Sequence, residues 1–185
     1  MYVNVENNGT TVTLTCPYNT GIINRAKPMG GSWNGASWQF DARDEDRVRD
    51  LAREIFGTDG CAADAADLVT VRIKLKDFAD YQHATFAGRR IAERPGRDQG
   101  VRFADGVVVV EGRVPSSGGS MKNPALAIDY NVIAEIRDIP RAALSVVNPG
   151  TYAITGEQAD IAALAAERKR LAARIAEIDT LLAAP

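Results

Sequence analysis

One stretch restricts the fold more than any other: DARDEDRVRDLAREIFG, residues 41–57. Val48, Leu51, Ala52, Ile55 and Phe56 recur at i, i+3, i+4, i+7 and i+8, which gathers them on one face of a helix. Acids crowd its start, Arg53 sits late and Gly57 follows, as the helix dipole and a left-handed stop require. Such a stripe has to be covered, and the residues before it supply strands. YVNVE and TTVTLTC alternate on either side of the turn residues NNG and read as a hairpin. Ile22, Ile23 and Ala26 are spaced for a short helix, limited by Pro28 and ended by Gly30-Gly31. GSW and WQF then flank the polar loop NGAS as a second hairpin. Residues 1–60 are thus expected to form a ββαββα module.

TDGCAADAAD links this module to a region of different rhythm. LVTVRIKL alternates with period two, DGVVVVEGRV reads as a buried strand led in by a turn, and YNVIAEIRDI is a further strand. PSSGGSMKNP between the last two is rich in turn residues. Residues 68–150 are therefore expected to be a small, mostly-β domain with a barrel-like sheet. In residues 156–184, Ile161, Leu164, Arg168, Leu171, Ile175, Ile178 and Leu182 alternate spacings of three and four, the seam of a coiled coil broken only at Arg168. A lone helix of this length is marginal, so the stripe needs a partner, either an identical helix or a groove on the protein's own body. Self-association through Ile161, Leu164, Leu171, Ile175, Ile178 and Leu182 is the expected use. The fold class expected for the whole chain is α+β.

The 185 residues contain no apolar run long enough to span a membrane, and the N-terminus lacks the basic and apolar regions of a secretory signal. Cys16 and Cys61 form no CxxC pair, so a reducing, cytoplasmic setting is expected. A net charge of −2 argues against coating nucleic acid by bulk attraction. One stretch departs from this balance. GRRIAERPGRDQGVR, residues 88–102, sets Arg89, Arg90, Arg94, Arg97 and Arg102 against Glu93 and Asp98. A local field of that sign attracts phosphate, although a solvated loop with self-paired arginines has the same composition.

Both tryptophans of the chain, Trp33 and Trp38, flank the four-residue loop Asn34–Ser37. Opposite one another in a hairpin their indoles touch, and Phe40 joins the same face. Two uses are open: a plug for the core of a small domain, or a platform on which a base stacks.

The run CPYNTGIINRAKPMGGSWNGASWQFDARDEDRVRDLAREIF resembles the HARP (HepA-related protein) domain found beside the motor of Swi/Snf-type annealing helicases. The likeness rests on Pro17-Tyr18, Lys27, Gly30-Gly31, Trp33, Trp38 and Phe40, followed by the helix bearing Val48, Leu51 and Ile55. It covers about forty residues of the chain. The resemblance implies contact with branched or single-stranded DNA through Arg25, Lys27 and the exposed part of the hairpin. The helicases' GxxxxGK[ST] phosphate loop does not occur in the sequence, so the resemblance implies a passive binder or accessory subunit. With its HARP-like start and the segments GVVVVEG and PSSGGS, the chain also resembles short proteins of phages and other bacterial mobile elements. That likeness implies an alternative: an inhibitor or modulator that binds a host nucleic-acid-processing protein, such as a defence system.

No catalytic constellation emerges. His83 is the sole histidine, there is no HExxH, and no cysteine pair or histidine cluster marks a metal site. Asp64, Asp67, Asp77 and Asp80 would be the carboxylates of a Mg²⁺ nuclease, but they fall in a linker and a strand exit. Lys122, in PSSGGSMKNP, could add a cation to a backbone nest for phosphate, though no helix follows to lend its dipole. The expected function is a non-enzymatic nucleic-acid-binding accessory protein, with DNA favoured and no cofactor. Its candidate contacts are Arg25, Lys27, Trp33, Trp38, Arg89, Arg90, Arg94, Arg97 and Lys122.

Overall fold

A computed structural model describes residues 3–155, 168–172, 174–175 and 178–179. The first hairpin pairs β1 (Asn4–Asn7) with β2 (Thr11–Thr15), and Asn7 and Asn8 side chains accept the N–H groups that close its turn. The short helix α1 (Thr20–Ala26) starts at Asn19, whose side-chain oxygen accepts from Gly21 and Ile22 N–H. That satisfies backbone donors the helix itself leaves open. Next come β3 (Ser32–Trp33), β4 (Trp38–Asp41) and α2 (Glu45–Phe56). The strands form one antiparallel sheet in the order β1-β2-β4-β3.

Helix α2 buries Val48, Leu51, Ala52 and Phe56 against Val5, Val12 and Leu14 of the sheet and Ile22 and Ala26 of α1. Gly31 is essential to this packing. A Cβ there would lie 2.5 Å from the Phe40 ring and 2.8 Å from the Ala26 carbonyl, closer than either can yield.

After a five-residue helix α3 (Ala62–Ala66), the chain forms two further sheets. One has the order β11-β5-β10-β9, from β5 (Leu68–Lys74), β9 (Val107–Glu111), β10 (Ile133–Pro140) and β11 (Tyr152–Thr155). The other is β6-β7-β8, from β6 (His83–Phe86), β7 (Arg89–Glu93) and β8 (Arg102–Phe103). Val71, Ile73, Phe86, Ile91, Ala134, Ile136 and Ile139 lie at the centre of their shared core. The first sheet and this core meet within one unit, Met1–Ile154. Val5 N–H donates to the Asp59 carbonyl, the Asn19 amide donates to the Gly88 carbonyl, and Phe56 lies against Gly88.

The expected α+β arrangement ending in a long helix is corrected. The chain is a mixed α/β protein dominated by strands in three sheets, with few helices. Beyond Thr155 the described residues, 168–172, 174–175 and 178–179, are helical, and no long helix over 156–184 is described. Of the expected seam, Leu171, Ile175 and Ile178 are exposed, while Ile161, Leu164 and Leu182 lie outside the described residues. The spacing by itself supplies no surface on which such a stripe is buried, and the described residues supply none for Leu171, Ile175 and Ile178. The stretch 88–102, expected as an arginine loop, is also corrected. Arg89–Glu93, with the stretch's first two arginines, is a paired strand, and Arg102 opens β8. Among the described residues no helix is long and apolar enough to cross a membrane.

Candidate binding groove

The second hairpin sets the geometry. The Asn34 side chain accepts from Ala36 and Ser37 N–H, and Asn34 N–H donates to the Ser37 carbonyl, which folds NGAS into a compact loop. Trp33 and Trp38 become cross-strand partners, with ring centroids 5.7 Å apart and planes tilted by 57°. The two indoles then part company. Trp38 is 6% exposed and packs in the core, whereas Trp33 is 51% exposed. Of the two uses open to the pair, each ring is suited to one.

Trp33 does not stand on a flat surface. Between it and α1 runs a groove of about 410 Å³, floored by Trp38 and Ile22 and walled by Trp33, Ile23, Cys16, Pro17 and Tyr18. Lys27, exposed at the C-cap of α1, supplies its cation. Concave, mostly apolar sites with a few polar groups are where flat ligands gain contact area without leaving buried polar atoms unpaired. The Cys16 thiol in the groove is pushed up to about 11 by burial. It is therefore protonated near neutral pH.

Tyr18 is the shared wall between this groove and a smaller polar recess of about 310 Å³. Asn19, Thr20, Asp80, His83, Thr85, Gly88 and Arg90 line the recess. The Arg90 guanidinium lies 5.4 Å from the centre of the exposed Tyr18 ring, within cation–π range. His83 faces Asp80 at 3.9 Å.

Three of the expected contact residues, Lys27, Trp33 and Trp38, come together in the groove, and Arg90 stands beside it. The others divide. Arg25 pairs with Glu54, Arg97 sits 3.3 Å from Asp98, and Arg89 donates to the Asp105 carbonyl at 2.7 Å. Arg90 itself is 3.1 Å from Glu93. Lys122 is exposed on the long loop after β9, apart from the groove.

Arg94 is a correction. It is 0% exposed, and its guanidinium donates to the carbonyls of Gln99, Pro115, Ser116, Ala125 and Leu126. All of its N–H directions are spent on the backbone of residues 99–126, so it fastens that segment and cannot reach a phosphate.

Tyr18 and Ile23 were missing from the candidates for the groove. The available signal for Tyr18 was an aromatic residue immediately before a helix cap, next to Pro17, where no strand alternation explains it. Its position opposite Trp33 depends on how α1 crosses the sheet, which no local pattern specifies.

The carboxylates considered for a metal-dependent nuclease do not converge. Thr58 hydroxyl donates to Asp64, Asp67 pairs with Arg141 at 3.0 Å, and Asp80 faces His83. A different trio, Asp59, Cys61 and Asp64, has its ligand atoms within 4.8 Å of one another. There the buried Asp59 carboxylate already holds Arg49 at 3.1 Å and Arg53 at 2.7 Å. Burial pushes the Asp59 carboxyl up, but the Cys61 N–H and the two guanidinium groups outweigh it and hold the group below its ordinary value. Two fixed cations on one ligand repel a third.

No protein-family model, curated protein or solved structure matches the chain.

Proposed function

We propose that this is a non-enzymatic binding protein whose Trp33 groove takes an unstacked base of single-stranded or branched DNA. The supporting observation is the half-exposed Trp33 indole, braced by buried Trp38 and set across a groove from Lys27. A base needs an apolar face to stack on and a cation near the phosphate that follows it, and a duplex cannot offer its bases this way. The HARP-like residues Pro17-Tyr18, Lys27, Gly30-Gly31, Trp33 and Trp38 agree with this reading, since several of them surround the groove.

The arginine field contributes little to it. With Arg94 spent internally and Arg25, Arg90 and Arg97 beside carboxylates, few phosphates are neutralised. Binding should therefore rest on stacking, with a shallow salt dependence near −0.7 per phosphate for about two phosphates. The test is a titration of fluorescent single-stranded, forked and duplex DNA at two salt concentrations, on the parent and on Trp33→Ala. Binding of the first two that drops about tenfold in the variant supports the groove, since one stacked base contributes ~1–3 kcal/mol. Equal affinity of parent and variant for all three DNAs removes it.

A second reading has its own support. The self-paired arginines and the net charge of −2 suit a protein-binding modulator, in which the apolar groove holds a side chain of a host nucleic-acid-processing protein. A phage or mobile-element inhibitor of a defence system would be of this kind. Its mark is absence of binding to all three DNAs at any salt, together with capture of a nucleic-acid-processing protein that Trp33→Ala abolishes.

A further inference from the structure

Strand β9 is the outer strand of its sheet, bonded to β10 on one edge. Its other edge is open among the described residues. Val107 N–H closes the turn into the strand on the Ala104 carbonyl, and residues 108–111 make no backbone bond outside the sheet ladder. Edge strands in soluble proteins usually carry a lysine, a proline or an inward charge that discourages pairing with another chain. Val107-Val108-Val109-Val110 carries none of these, and the strand's one charge, Glu111, stands at its end. Val107 is buried and Val109 packs on the core, while Val108 and Val110 are 43% and 38% exposed. Against β10 the ladder is regular over Val107–Val109, and the one extra residue, Val110, leaves its exposed side chain next to the open edge.

We propose that the open edge of β9 pairs antiparallel with β9 of a second copy, about a two-fold axis at Val109. In that register Val108 of each copy faces Val110 of the other, and the exposed valines cover one another. The flanking charges fit the same axis. Asp105 and Arg113 stand equally far from Val109 in sequence, so each end of the pairing brings Asp105 of one copy towards Arg113 of the other. Both are exposed, and among the described residues neither side chain is in an ion pair. Opposite charges at symmetric distances favour a second copy over an unrelated strand.

Light scattering and sedimentation on the full chain over a wide concentration range test the proposal. A dimer is expected, and Val108→Lys with Val110→Lys should weaken it by about a hundredfold, because each copy then presents its lysines to the other. Asp105→Arg or Arg113→Asp alone should weaken it about threefold to tenfold, and the two together should restore it, as pairing of these two residues between copies requires. Thermal melts of the variants check that folding is kept. A chain that stays monomeric throughout overturns the proposal. So does a double charge reversal weaker than either single one, or a dimer lost in Leu171→Asp but untouched by the valine changes.

Discussion

Two regions of this molecule carry the residues that a sequence marks as chemistry, and they use them in opposite ways. Around Trp33 the aromatic and cationic groups stay at the surface, with only Trp38 drawn inside. Around Arg94 a cation is the largest fully buried side chain among the described residues. The difference lies in what each neighbourhood offers. The groove offers rings and aliphatic carbons, which leave an indole edge free for a partner. The carbonyls of Gln99, Pro115, Ser116, Ala125 and Leu126 lie outside the strands, and a guanidinium can collect them in its fixed fork.

The sharpest way to break that contrast is Arg94→Ala. It strips five carbonyls of their donor in a closed space, so a loss of ~3 kcal/mol or more is expected in urea unfolding. Arg94→Lys should recover little of it, having three donors on a flexible stem. If both variants melt like the parent, Arg94 does not hold the loop.

Trp38→Ala should come next, at ~3 kcal/mol of stability, whereas Trp33→Ala should cost under ~1 kcal/mol while affecting ligand binding. Equal costs at the two positions would contradict the division of roles.

Gly88→Ala should cost ~2 kcal/mol, since a Cβ there meets the Ile55 carbonyl at 2.6 Å and the backbone is left-handed. A neutral result would loosen the seam between the first sheet and the second core.

Acid sensitivity should be the mildest effect. Glu45, Glu54, Asp41 and Asp59 are all held below their ordinary values by arginine partners or hydrogen bonds, Asp41 at about 2. Groups lowered in this way add stability that is complete above the unfolded carboxylate range. It is lost as pH falls through the folded values. Melting temperature should thus be flat from pH 7 to about 5 and fall below about 4, the ordinary carboxylate range. A melting temperature that rises on acidification would contradict this pairing.

What the sequence could tell followed from how local each cause is. Helix α2 was legible because periodicity, early acids and Gly57 all lie within its own residues, and Val48, Leu51, Ala52 and Phe56 are its buried face. The Trp33–Trp38 contact was legible because a loop of four residues fixes the pairing. Which ring would be buried was not, since α1 decides it. The β6–β7 hairpin was hidden for a different reason. Its turn uses Ala87-Gly88, both with positive φ, where Asn-Gly is the usual signal, and Arg89-Arg90 masks the apolar Ile91. Arg94 was read by its charge, and the carbonyls it binds come from as far as 32 residues along the chain. The coiled-coil spacing from Ile161 to Leu182 names a seam but not what closes on it, and of its residues only Arg168, Leu171, Ile175 and Ile178 are described.

Intrinsic fluorescence tests the central claim most directly, because the chain has only two tryptophans and one is buried. Titrating single-stranded oligothymidine into the full chain should quench emission and shield it from acrylamide, and Trp33→Phe should lose nearly all of that change while Trp38 still emits. Quenching of the same size in Trp33→Phe, or DNA binding with no change in emission at all, would contradict a base stacked on Trp33.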